Sequence, residues 1–314
     1  MYFYLPIALT SISLPLIVGL GLVVGLLSGL FGVGGGFLMT PLLIMIGIPP
    51  TVAAATDSLQ IVGASTSGTF AHWRLGNVDF KMGIYLLIGG FVGGLGGVHL
   101  VKMLRMMGNA DFVIKITYVL MLGIVGSYMF VESLNALKKA KKAKEGIKAA
   151  DIPSKPRKES GFVKFLKSLP LQTKFDKSGV THSALLVIFL GTFVGILAAI
   201  MGVGGGFLMV PVMVYLLRMP MHVVVGTSLF QILFTCIEVS FLQAYVNQTV
   251  DFILAVLLLA GSTFGAQIGT KLGKKLHGDQ LKILLAILVL VVTAKIMLDL
   301  LLEPSILLSM KGGH

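Results

Sequence analysis

The sequence is poor in charge, in acid and in cysteine. Only 12% of its 314 residues are Asp, Glu, Lys or Arg, about half the share of a soluble domain. An ordinary cytosolic enzyme and a disordered chain are both excluded. The single cysteine, Cys236, rules out an intramolecular disulfide and any CxxC redox or metal motif. No HExxH-type motif is present, so no cofactor or resident metal is expected, and no enzyme. No basic segment precedes the first apolar run, so residues 5–31 read as a membrane element and not as a cleaved signal.

What is present is apolar. The apolar share is 56% and the mean hydropathy +0.96, with several runs of 18 or more residues. This is the signature of a polytopic membrane protein in the lipid bilayer. The net charge of +12 is local. Residues 138–178 hold 13 Lys or Arg against 4 Asp or Glu, which accounts for +9. The charge marks a linker, and nucleic acid is not a partner.

The chain repeats itself. Gly32–Pro41 reads GVGGGFLMTP and Gly202–Pro211 reads GVGGGFLMVP, an offset of 170. The offset persists to Ser58-Leu59 and Ser228-Leu229, which sets Thr227 in the place of Asp57. It becomes 172 at Val78-Asp79-Phe80 and Val250-Asp251-Phe252. Gly89, Gly93 and Gly97 then match Gly261, Gly265 and Gly269. The expected organisation is a first transmembrane repeat over 1–137, a basic cytoplasmic linker over 138–178 and a second repeat over 179–314.

Each repeat carries five helical elements, at about 7–31, 37–48, 51–71, 80–104 and 112–135, then 181–201, 207–218, 221–246, 252–272 and 280–302. The second element of each repeat rises only about 17 Å. It either crosses obliquely or pairs with the first as a re-entrant hairpin. Lys138, Lys139, Lys141, Lys142, Lys144 and Lys148 place the linker in the cytoplasm. An odd number of crossings per repeat then inverts the two repeats and puts both termini outside the inner membrane. The fold class expected is all-α, with two inverted repeats whose glycine-broken helices meet near the midplane.

Gly32–Gly36 and Gly202–Gly206 each hold four glycines in five positions, which no helix tolerates comfortably. A helix end, a glycine turn and a new helix start would expose backbone N–H groups to an anion. Close helix packing through glycine is the plainer reading. Irregular backbone in lipid needs protein or a polar cavity around it, which favours a lined site. Gly34, Gly35, Gly36, Gly204, Gly205 and Gly206 are therefore candidate substrate-binding residues.

The third elements supply polar side chains: Ser58 and Gln60 in one repeat, Thr227, Ser228 and Gln231 in the other. Such groups can bond anionic oxygens, or their own helix and its neighbours. Asp57 and Glu238 are acids within membrane elements and are candidates for carrying a coupling proton. Asp57 can also be read as a helix-start carboxylate. The glycines four apart in the fourth elements read as small-residue helix packing.

The duplicated GVGGGF-x-x-x-P signature resembles the TauE/SafE family of sulfite and organosulfonate exporters, also called the toluenesulfonate uptake permease family. The likeness covers nearly the whole chain outside the linker. It implies secondary transport, usually outward, of small sulfur-containing anions such as sulfite or sulfonates, with protons as coupling ion. It also places the six glycines at the central site. Alternatives from the residues alone are an anion channel, or a sodium-coupled transporter of another small organic anion. A homo-oligomer is left open.

Overall fold

The computed structural model describes residues 2–31, 36–144, 171–273 and 278–302. Each repeat begins with a two-stranded antiparallel hairpin that the sequence reading missed. In the first, β1 (Tyr2–Leu5) pairs β2 (Thr10–Ser13), with Tyr2 opposite Ser13. In the second, β3 (Gln172–Phe175) pairs β4 (Val180–Ser183), with Gln172 opposite Ser183. The two hairpins obey the offset of 170 residue by residue. Gln172–Ser178 thus belongs to the second repeat and not to the linker. Leu5 and Phe175, one in each hairpin, are fully buried.

Among the described residues, five helices follow each hairpin. The first repeat has α1 (Leu14–Phe31), α2 (Gly36–Met45), α3 (Pro50–Arg74), α4 (Phe80–Met106) and α5 (Ala110–Lys144). The second has α6 (Ala184–Met201), α7 (Gly206–Pro211), α8 (Met221–Leu242), α9 (Phe252–Gly273) and α10 (Gly278–Leu302). A π-helical turn, Val212–Leu216, continues α7, and another, Gln243–Asn247, continues α8. Apart from the hairpins the fold is all-α. Among the described residues, five helical stretches are long and apolar enough to cross a membrane, including Phe80–Met106, Ala184–Met201 and Met221–Asn247. The protein is a multi-pass membrane protein.

The repeats interlock reciprocally. The most extensive packing is α1 on α9 and α4 on α6, each pairing a first helix with the fourth helix of the other repeat. The glycines explain why. A Cβ on Gly89 or Gly93 would stand 2.0 or 2.1 Å from the carbonyl of Ile188 or Thr192. A Cβ on Gly261, Gly265 or Gly269 would stand 2.0–2.4 Å from the carbonyl of Val18, Leu22 or Leu26. Missing side chains let these backbones touch. Contacts ascend together along both helices, so each pair runs parallel.

The third helices meet each other. Thr56, near the start of α3, accepts from the N–H of Asp251 beyond the end of α8, at 3.0 Å. Thr227, near the start of α8, accepts from the N–H of Asp79 beyond the end of α3, at 3.0 Å. The two helices therefore run antiparallel past one another. Asp79 and Asp251 also cap α4 and α9, through the N–H groups of Met82 and Leu254. Each carboxylate reaches across to the other repeat's hairpin, where Asp79 accepts from Ser178 and Asp251 from the N–H of Ile7.

Candidate functional site

The second glycine segment is a broken helix. Gly202 ends α6 with φ 71° and donates its N–H to the Ala198 carbonyl at 2.8 Å. Gly204 and Gly205 follow at φ 68° and 75°, a region that L side chains rarely enter. Gly205 then accepts from the N–H of Met209 at 2.8 Å, which starts α7. Space demands glycine as firmly as conformation does. A Cβ on Gly202 would stand 1.9 Å from the Ala54 carbonyl in α3. One on Gly204 would meet Cys236 and Ile232 of α8 at 2.6 and 2.7 Å. Both readings of the motif are thus present together: a broken helix, and close packing. Among the described residues, nothing accepts from the N–H of Gly204 or Gly205.

The two copies meet. Phe37 and Phe207, which follow the two glycine runs at equal register, stack with centroids 4.6 Å apart and planes 9° from parallel. Gly36 packs on Ile61 just as Gly206 packs on Ile232. Gly36 also faces the Val203 carbonyl at 3.5 Å from its virtual Cβ. Gly34 and Gly35 lie outside the described residues.

These contacts correct the register of the third helices. Thr56 and Thr227 perform the same bond, and Ile61 and Ile232 the same packing. The offset here is 171, so Thr227 is the counterpart of Thr56 and not of Asp57. Asp57 corresponds to Ser228, and Gln60 to Gln231. The one-residue shift arises because α3 and α8 are matched by their contacts across the molecule, whereas the Ser-Leu identity holds only within the linear alignment.

The polar side chains sort into three kinds. Ser58 and Ser228 donate to carbonyls of their own helix, Ala54 at 3.2 Å and Val225 at 3.1 Å. Their protons are spent on backbone, the plainer of the two uses open to a helical serine. Gln60 donates to the Ser262 hydroxyl at 2.7 Å and Gln231 to the Thr235 hydroxyl at 3.1 Å. The Oε1 of each glutamine is buried without a hydrogen-bond partner. An unpartnered buried acceptor costs about 1–3 kcal/mol, and this cost occurs at matching positions in both repeats.

The acids form the third kind. Asp57 is 0% exposed. Its Oδ2 accepts from the Thr40 hydroxyl at 2.8 Å, and its Oδ1 has no partner. It lies inside the protein, so the helix-start reading of an interfacial carboxylate does not describe it. Glu238 is half-buried in α8, against α4. A Cβ on Gly94 would stand 2.7 Å from its Oε2, and both carboxylate oxygens lack partners.

Two residues of this region escaped the sequence reading. Thr40 in α2 is the donor to Asp57. The signal was available, because Thr40 is the one polar substitution between the two motif copies, where Val210 stands in the other. Tyr118 in α5 is fully buried, and its hydroxyl donates to the Met201 carbonyl at the end of α6. Gly202, next to Met201, packs on the Ala54 carbonyl, one turn before Asp57 in α3. Nothing around Tyr118 in the sequence announces this, since only the packing of α5 brings it there.

The sulfite exporter TauE/SafE family model matches residues 17–296, nearly the whole of both repeats. The chain belongs to the TauE/SafE family. Its relatives include "Probable membrane transporter protein YunE" of Bacillus subtilis, 26% identical over 91% of this chain and 98% of that protein. "Probable membrane transporter protein YjnA" of the same organism is 28% identical over 88% of this chain and 96% of its own length. "Sulfite exporter TauE/SafE family protein 1" of Arabidopsis thaliana is 39% identical, over 26% of this chain and 18% of that protein. No solved structure matches. As a TauE/SafE member the chain is a membrane transporter.

Proposed function

We propose that this transporter moves small sulfur-containing anions, sulfite or an organosulfonate, outward across the inner membrane by alternating access. The anion would sit at the junction of the glycine segments, on backbone N–H groups of Gly34, Gly35, Gly36, Gly204, Gly205 and Gly206. Ser58, Gln60, Thr227, Ser228 and Gln231 would line it. Asp57 and Glu238 would carry the coupling protons. The linker would be cytoplasmic and the termini outside, with the repeats inverted in the bilayer.

The single observation that carries this reading is the stacking of Phe37 on Phe207, the residues that follow the two glycine runs. Inverted-repeat transporters hold substrate where broken helices of the two repeats converge. The antiparallel passage of α3 and α8, bonded at Thr56 and Thr227, supports inversion. Left-handed Gly204 and Gly205, whose N–H groups meet no acceptor among the described residues, could form an anion-attracting concavity without needing a buried arginine. A family name used for plant relatives, sulfite exporter, supports the choice of anion.

The test is counterflow and uptake of labelled sulfite, sulfoacetate and taurine in proteoliposomes, with and without an imposed proton gradient. Wild type, Asp57→Asn and Glu238→Gln are compared. Gradient-driven movement of one anion that either variant uncouples is the expected result. Folded wild-type protein that moves none of the three would overturn the substrate reading.

A further inference from the structure

The oxygens around Asp57 meet no basic group among the described residues, and their atoms suit a small metal cation. Asp57 Oδ1 is buried and unpartnered. Thr40 gives its proton to Oδ2, and Tyr118 gives its proton to the Met201 carbonyl. Both hydroxyl oxygens keep free lone pairs, that of Thr40 on the carboxylate and that of Tyr118 at the end of α6, which packs on Ala54 one turn before Asp57. Met201 is the last residue of α6, whose terminal carbonyls present the negative end of the helix dipole. Among the described residues, no lysine, arginine or histidine lies within ion-pair distance of Asp57. The titratable groups that face it are Tyr118 from α5 and Cys236 from α8. Neither brings a positive charge, and Thr40 from α2 is neutral.

We propose that Asp57, Thr40, Tyr118 and the carbonyl end of α6 form a binding site for one sodium ion. Carboxylate, hydroxyl and carbonyl oxygens are the donors that hard cations prefer. A single carboxylate balances a single charge, and no cluster of three His, Cys, Asp or Glu exists among the described residues to hold a divalent or transition metal. Broken helices with exposed terminal carbonyls are where sodium is held in inverted-repeat transporters. The second repeat cannot build a copy. It places Ser228 at the position of Asp57 and Val210 at that of Thr40, so the stoichiometry is one ion per chain. The site deepens the transport reading by letting sodium and a proton compete for the same carboxylate. Sodium binding itself is independent of which anion is carried.

The experiment is thermal unfolding of the purified full chain in detergent, in NaCl, KCl or choline chloride at equal ionic strength. Binding of labelled sodium is measured alongside. At pH 8, sodium at a hundredfold excess over its dissociation constant should raise the melting temperature by about 5 °C over potassium. Labelled sodium should bind at one per chain. Where Asp57 protonates, each unit fall in pH should weaken apparent sodium affinity about tenfold, as linkage requires. Asp57→Asn and Thr40→Val should abolish or weaken the sodium-specific shift. Should Asp57→Asn fail to fold, the wild-type comparison of sodium with potassium and its pH dependence still decide. Equal melting in sodium and potassium, or a sodium shift that persists in Asp57→Asn, would overturn the site. Proton-driven anion transport without any sodium effect would do the same while leaving the transport reading intact. Sodium binding without transport of any tested anion would keep the site and remove the substrate.

Discussion

Phe37 and Phe207 are equivalent residues of the two repeats, and they lie face to face, 4.6 Å between centroids. Both are buried. Self-contact of equivalent residues is what a pseudo-two-fold relation produces at its axis. Gly36 and Gly206 adjoin this pair, each packed on the equivalent isoleucine, Ile61 or Ile232. Phe207→Ala should cost about 3–5 kcal/mol of stability, read as a lowered denaturation midpoint, while Phe207→Leu should cost less. Equal tolerance of both would show that the stack is not a structural contact.

The helix-packing glycines make a sharper contrast. Gly93→Ala and Gly265→Ala place a methyl 2.1 and 2.0 Å from backbone carbonyls of the other repeat. Backbone cannot yield as a side chain end can. Each should destabilise by about 1–3 kcal/mol or more through forced separation. Gly96→Ala and Gly19→Ala, with nothing within 4 Å, should be neutral or slightly stabilising. Thermal unfolding of the four variants checks the difference.

Backbone conformation and close approach can be separated at the left-handed glycines. Gly108 has φ 74° and open space, whereas Gly202 has φ 71° and the Ala54 carbonyl 1.9 Å from its virtual Cβ. Gly108→Ala should cost about 1–2 kcal/mol from conformation alone. Gly202→Ala should cost clearly more and reduce transport in the proteoliposome assay. Similar losses at both positions would argue that φ alone accounts for the motif.

The two aspartates that clasp the opposite hairpins offer another test. Asp79→Ala removes the cap on α4 and leaves the N–H and hydroxyl of Ser178 unpartnered. A loss of about 1–2 kcal/mol is expected from the cap alone. Amide exchange in 172–183 should accelerate more than exchange in 2–13. Asp251→Ala should show the converse, with its effect centred on Ile7. Acceleration of the same hairpin in both variants would contradict the reciprocal arrangement.

Much of this protein was legible before any coordinates. Long apolar runs and scarce charge fix a membrane protein, because lipid admits little else. The duplicated motif fixes two like units, and glycines four apart fix a helix face where backbones touch. Composition and periodicity carry that information locally, within a few turns of chain. The hairpins were not legible, since Tyr2–Ser13 is apolar enough to read as the start of a span, while Gln172–Ser178 looked like the tail of a basic linker. The register of Thr56 with Thr227 was decided by bonds to Asp251 and Asp79, nearly 200 and 150 residues away. Tyr118 reached Met201 only because α5 packs beside α3 and α6. Contacts between distant segments depend on how whole helices dock, and docking is a property of surfaces that no single stretch of sequence contains.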